Sequence, residues 1–136
     1  MCRNINMERL LKEKEIRANE LSPLTLAFIG DTVFDLLVRE DLICKANRPA
    51  NELHGMAVKK VNAAAQAELI EKLIPILSED ELAVYKRGRN AKSGHLPKNA
   101  TCGDYHKATG FEALLGYLYL TDNIERIKFL YNALSD

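Results

Sequence analysis

The stretch from Ser22 to Ile43 constrains this chain more than any other. Ser22 is placed to accept from the free amides of a helix start, and Pro23 stands where a missing amide costs nothing. The apolar run that follows is too wide for a surface helix. Leu24, Leu26, Phe28, Ile29, Val33, Phe34, Leu36, Leu37 and Val38 cover more of the circumference than one stripe. Such a helix must be covered on several sides, so the expectation is a helical bundle built around it. Residues near Phe28 are left seeking a partner, and an isologous contact with a second copy is the commonest solution.

The remaining sequence agrees with an all-α fold. No alternating Val/Ile/Thr run is long enough for a strand, and only seven glycines and four prolines punctuate 136 residues. That length supports one domain, taken as residues 1–136. A short first helix is expected from Asn6 to Asn19, where Met7, Leu10, Leu11 and Ile16 roughly share a stripe. After Asn47-Arg48-Pro49, Asn51 is expected to cap one continuous helix reaching Pro75. Ser78-Glu79-Asp80-Glu81 is a capping-box pattern that opens a further helix towards Arg89. Asn90 to Gly103 reads as a long loop, Asp104 as the cap of a helix through Leu120, and Asn123 to Leu134 as the last helix.

Charge and cysteine usage narrow the function classes. Nineteen basic residues balance nineteen acidic ones, which excludes a uniformly cationic nucleic-acid coat, so any charged site must be local. No stretch approaches the roughly 18 apolar residues of a membrane span, and Met1 to Glu20 is too polar for a signal peptide. The expected location is therefore the cytoplasm, with no membrane partner. Cys2, Cys44 and Cys102 form no Cys-x-x-Cys pair and are expected to stay reduced, Cys44 as a small buried hydrophobe. His95, Cys102 and His106 lack standard zinc spacing and read as surface residues.

Three features carry chemistry. Asp31 follows Gly30 in the middle of the apolar helix, where an acid needs a hydrogen-bonded cap, a basic partner or a metal ion. Asp35 lies one turn on and either shares a hard cation with Asp31 or is simply solvated. Glu112 is a parallel case between Phe111 and Ala113-Leu114-Leu115. If the two helices pack together, their acids meet and can hold magnesium, which suits phosphodiester hydrolysis. The third feature is Tyr85 to Asn99, which contains no acid and carries Arg87, Arg89, Lys92 and Lys98. Cations favour a helix C-terminus in any protein, but this run continues well past the helix and so points to RNA or DNA phosphates.

Leu26-Ala27-Phe28-Ile29-Gly30-Asp31-Thr32-Val33 resembles the signature helix of the ribonuclease III family. Ala108-Thr109-Gly110-Phe111-Glu112-Ala113-Leu114-Leu115-Gly116 resembles the family's second acidic motif. Arg87-Gly88-Arg89-Asn90-Ala91-Lys92 and the stretch Ala108 to Leu120 are closer to a short branch that lacks the double-stranded RNA-binding domain. The resemblance implies a ribonuclease III-like, all-helical homodimer that hydrolyses double-stranded RNA with Mg2+ and leaves a 5′ phosphate. In the short branch the implied substrate is the precursor of large-subunit ribosomal RNA, and a ribosomal protein is a further partner to test. Asp31 stands at the family's catalytic aspartate, Glu112 at its essential glutamate, and Phe28 at an aromatic knob of the dimer contact. Two further family acids are replaced here, by Ala27 and Thr109. The competing readings are a catalytically inactive RNA-binding protein of the same fold and a purely structural helical protein.

Overall fold

In the computed structural model, which describes residues 8–92 and 101–135, the wide apolar helix is α1, Pro23–Lys45. Its start forms as its sequence dictates, with the Thr25 amide donating to Ser22 Oγ at 3.2 Å and Pro23 in the first turn. Then come α2 (Ala50–Val61), α3 (Ala63–Leu73), α4 (Glu79–Asn90), α5 (Cys102–Leu120) and α6 (Ile124–Ala133). Short 3-10 turns lie at Ala18–Glu20 and Ile74–Ile76, and the described residues contain no strand.

Helix α5 is the centre of the bundle. It packs most extensively on α1, then on α4 and α3, and more lightly on α6. That role follows from its sequence, since Ala108, Phe111, Ala113, Leu114, Leu115 and Leu118 are buried and leave it no polar face of ordinary width. Phe34 of α1 meets Phe111 edge to face with ring centroids 5.0 Å apart. Val38, Leu42, Ile70, Leu73, Leu114 and Leu130 close around them. Each such side chain stabilises the fold by about 1.5–3 kcal/mol on leaving water.

The crossing of α1 and α5 is set by two glycines. A Cβ on Gly30 would sit 1.6 Å from the Glu112 carbonyl oxygen, and one on Gly116 would sit 1.9 Å from the Leu26 carbonyl oxygen. The two backbones therefore touch along one helical turn, and Asp31 is held beside Glu112. Helix α4 is fixed at its N-terminus by capping and charge. The Ser78 amide donates to Glu81 Oε1 at 2.8 Å and the Glu81 amide to Ser78 Oγ at 3.2 Å, completing the capping box. Arg126 of α6 then grips the same buried carboxylate with Nε at 2.7 Å and a terminal nitrogen at 2.8 Å.

Several expectations need correction. The helix expected from Asn6 does not form over residues 8–17. Its first two residues lie outside the described ones, and a turn at Leu10–Glu13 precedes irregular chain. Leu10 and Leu11 of that stripe reach no core, standing 87% and 63% exposed. Instead the Arg9 amide donates to Asp122 Oδ1 at 2.9 Å, Lys12 pairs with Asp122, and the Leu10 amide donates to the Tyr119 hydroxyl at 2.6 Å.

The helix expected to run unbroken to Pro75 is two helices. Asn62 separates them by accepting from the Ala65 amide at 2.9 Å while donating to the Val58 and Lys59 carbonyls, so one side chain caps both ends. Pro49, not Asn51, occupies the N-cap of α2, and Thr101, not Asp104, caps α5. Cys44 is exposed, not buried.

Candidate active site

Asp31 and Glu112 converge as their helices do, but their surroundings differ. Asp31 is exposed, contrary to the expectation of a buried acid in the middle of α1. It stands about 100° around α1 from the buried Gly30, at the edge of the face that packs on α5 rather than inside it. Glu112 is the sequestered member of the pair. Burial first, and the adjacent Asp31 charge second, push its carboxyl up to about 8, against a smaller lowering by Gln66. A second acid this close to a desolvated one leaves Glu112 protonated near neutral pH unless a cation compensates.

Gln66, which the sequence reading missed, supplies the hydrogen bond. It is 2% exposed in the first turn of α3, and its Nε2 donates to the Val61 carbonyl at 2.7 Å and to Glu112 Oε2 at 3.2 Å. The available signal was one amide among alanines, in Ala63-Ala64-Ala65-Gln66-Ala67, on a turn that must be buried to pack closely. Thr109 is buried and its hydroxyl donates backwards to the Tyr105 carbonyl at 3.0 Å. Ala27 is buried with Leu26, Val84 and Ala113 and contributes packing alone. Asp35 lies 3.1 Å from Arg39 one turn along α1 and so has a basic partner there.

The basic residues occupy the end of α4 that leans on the same part of α5. A Cβ on Gly88 would meet Gly110 Cα at 2.9 Å and Ala113 Cβ at 2.8 Å, so α4 contacts α5 at the turns flanking Glu112. Arg87 is exposed, and Arg89 lies over the Tyr85 ring, 5.6 Å from its centroid. Lys92 is exposed just beyond α4, and Lys98 and His95 lie outside the described residues. The surface reading of Cys102 holds, whereas His106 is half-buried. Phe28 stands 81% exposed on α1, with Leu24 and Leu36 also open to solvent.

The donor set suits a hard divalent cation. Two carboxylates side by side, one of them desolvated, repel each other until a positive charge lies between them, and magnesium accepts two such ligands with the rest water. Among the described residues no group of three or more His, Cys, Asp or Glu side chains gathers as a metal cage, and water or substrate phosphate oxygens would complete the coordination of an ion held by the two acids.

The ribonuclease III domain description matches residues 24–123, which include both acids and all of α1 to α5 except Pro23. Curated proteins called Mini-ribonuclease 3 are similar over most of their lengths. That of Thermoanaerobacter sp. (strain X514) is 49% identical over 90% of this chain and 84% of its own. That of Brevibacillus brevis is 52% identical over 80% and 81% respectively. A crystal structure of a protein from Fusobacterium nucleatum superposes with a TM-score of 0.76 at 33% identity, covering 83% of this chain and 90% of that one. With both acidic motifs and the helices that carry them inside the matched region, the chain belongs to the ribonuclease III family of endoribonucleases, in the Mini-ribonuclease 3 branch.

Proposed function

We propose that this endoribonuclease cleaves double-stranded RNA with a magnesium ion held by Asp31 and Glu112, and that its natural substrate is the precursor of large-subunit ribosomal RNA. The observation that carries the reading is the α1–α5 crossing at Gly30, which sets the exposed Asp31 beside the desolvated Glu112, and burial together with that second acid raises the Glu112 carboxyl. An acid so disfavoured as an anion marks a functional site more readily than a structural one. When bound, the ion supplies positive charge to the scissile phosphate and to the attacking water. The water oxygen adds to phosphorus, the bond to the 3′ oxygen breaks, and that oxygen takes a proton, leaving a 5′ phosphate and a 3′ hydroxyl. Asp31, exposed to the substrate side, and Glu112, anchored by Gln66, fix the ion's place against the backbone. Ala27 and Thr109 offer no carboxylate, so this chain works with two acids per site.

Arg87, Arg89 and Lys92 hold phosphates of the duplex in this reading, with Lys98 continuing the basic run. An A-form duplex hides its base edges in a deep, narrow major groove, so phosphate geometry and 2′-hydroxyls dominate recognition. The exposed Phe28 face belongs to a two-fold contact with a second copy, which brings a second Asp31–Glu112 pair to the opposite strand. No helix of the described residues is long and apolar enough to cross a membrane, and the cytoplasm, where precursor RNA is made, is the proposed location.

Cleavage of an end-labelled RNA duplex tests the reading. Cutting with magnesium and not with calcium supports it. Duplex binding without cutting, at any magnesium concentration, replaces it with the inactive RNA-binding alternative.

A further inference from the structure

We propose that Gln66 is a positioning residue for the metal site, holding Glu112 through one carboxylate oxygen so that the other is presented beside Asp31. The inference rests on the assignment of Asp31 and Glu112 to the cation. Its evidence is separate, because Gln66 belongs to neither acidic motif and lies on a different helix.

The geometry is specific. Both Nε2 hydrogens have acceptors, the Val61 carbonyl at 2.7 Å and Glu112 Oε2 at 3.2 Å. An amide flipped the other way would set its oxygen against two oxygens, so the two acceptors fix its orientation. Val61 is the last residue of α2, where helix carbonyls lack partners, so the amide is anchored on rigid backbone before it reaches Glu112. The side chain is 2% exposed, which denies it alternative rotamers and water. Its Oε1 is buried with no hydrogen-bond partner among the described residues. A buried amide with one orphaned oxygen is a costly way to fill space, and an apolar side chain would fill it without that cost. The donor is what the position gains. Hydrogen bonds that orient a metal-ligating carboxylate typically govern affinity by about 10–100-fold.

Gln66→Met removes the donor at similar length, and Gln66→Asn withdraws it by one methylene while keeping an amide. Magnesium alone is titrated into each protein by calorimetry, followed by duplex RNA binding in EDTA and cleavage as a function of magnesium. The expected result is a magnesium Kd weakened about tenfold in both variants. RNA affinity in EDTA should stay within about twofold, and kcat at saturating magnesium should approach the wild-type value, because the donor orients the ligand and touches no substrate. A folded variant with wild-type magnesium affinity overturns the proposal. So does a variant whose RNA affinity in EDTA falls in parallel, since that reports collapse of the surface. Glu112→Gln separates the two levels. If it too keeps magnesium affinity, the metal assignment itself fails, whereas loss there with wild-type affinity in both Gln66 variants refutes only the role of Gln66.

Discussion

Gly30 and Glu112 meet backbone to backbone: a Cβ on the glycine would lie 1.6 Å from the glutamate's carbonyl oxygen. The residue that follows Gly30 in sequence is Asp31, so the contact that packs α1 on α5 also sets the two acids side by side. Gly30→Ala should therefore destabilise the fold by about 3 kcal/mol or more and remove activity in whatever remains folded. Gly55→Ala is the matched control. Gly55 is exposed in α2 with nothing near its missing Cβ, so alanine there should stabilise by about 0.5–1 kcal/mol. Urea denaturation of both variants checks the contrast.

Neutralising Glu112 should stabilise the metal-free protein in a pH-dependent way. Its folded value, about 8, is above the ordinary 4.5, so the folded state holds a proton that the unfolded state has lost. The stability that group contributes is complete below about 4.5 and disappears as the pH rises through about 8. Glu112→Gln should thus melt with the wild type in EDTA at pH 4.5 and be about 1–4 kcal/mol more stable at pH 8.5. Equal melting at both values would contradict the burial of the charge.

The Glu81–Arg126 pair should govern acid stability. Arg126, foremost, and the Ser78 amide hold the Glu81 carboxyl below its usual value, so its contribution is present above about 4.5 and lost as the pH falls through the lowered value. Arg126→Met strands a buried carboxylate and should cost about 3 kcal/mol at pH 7, less at pH 3. Guanidinium titrations at the two pH values measure the difference.

Loss of Arg87, Arg89 and Lys92 together should weaken duplex RNA binding alike for unrelated sequences. The slope of log affinity against log salt should fall by about one unit for each phosphate contact removed. An unchanged slope would take these residues out of the interface.

Phe28→Asp should yield inactive monomers by sedimentation, since it places two unpaired charges against each other across the proposed two-fold contact. A wild-type monomer that cuts both strands would overturn the dimer.

Much of this was legible because it is local. Ser22 and Pro23 announce α1, Ser78 and Glu81 announce α4, and both glycine-acid motifs mark the α1–α5 crossing. What escaped depends on partners distant in sequence. Arg9 and Lys12 were expected in a helix, yet their bonds to Asp122, more than a hundred residues on, hold irregular chain. Asn62 carries a strong capping preference, but the apolar spacing of α2 continues into α3 and hides the break. Asp31 was expected to be buried because its sequence neighbours are apolar, whereas it stands about 100° around the helix from Gly30, at the edge of the packed face, and is exposed. Gln66 has no motif at all, and its meaning arises only when α3 meets α5.

The central claim is that a cation binds where Glu112 otherwise keeps a proton, and proton release on magnesium binding tests it most directly. Calorimetric titration at pH 7 in buffers of different ionisation enthalpy counts the protons, since an acid at about 8 is mostly protonated there. Wild-type protein should release about one proton per ion bound, while Glu112→Gln should release none and bind far more weakly. Magnesium binding of equal strength in both, without proton release, would contradict the account.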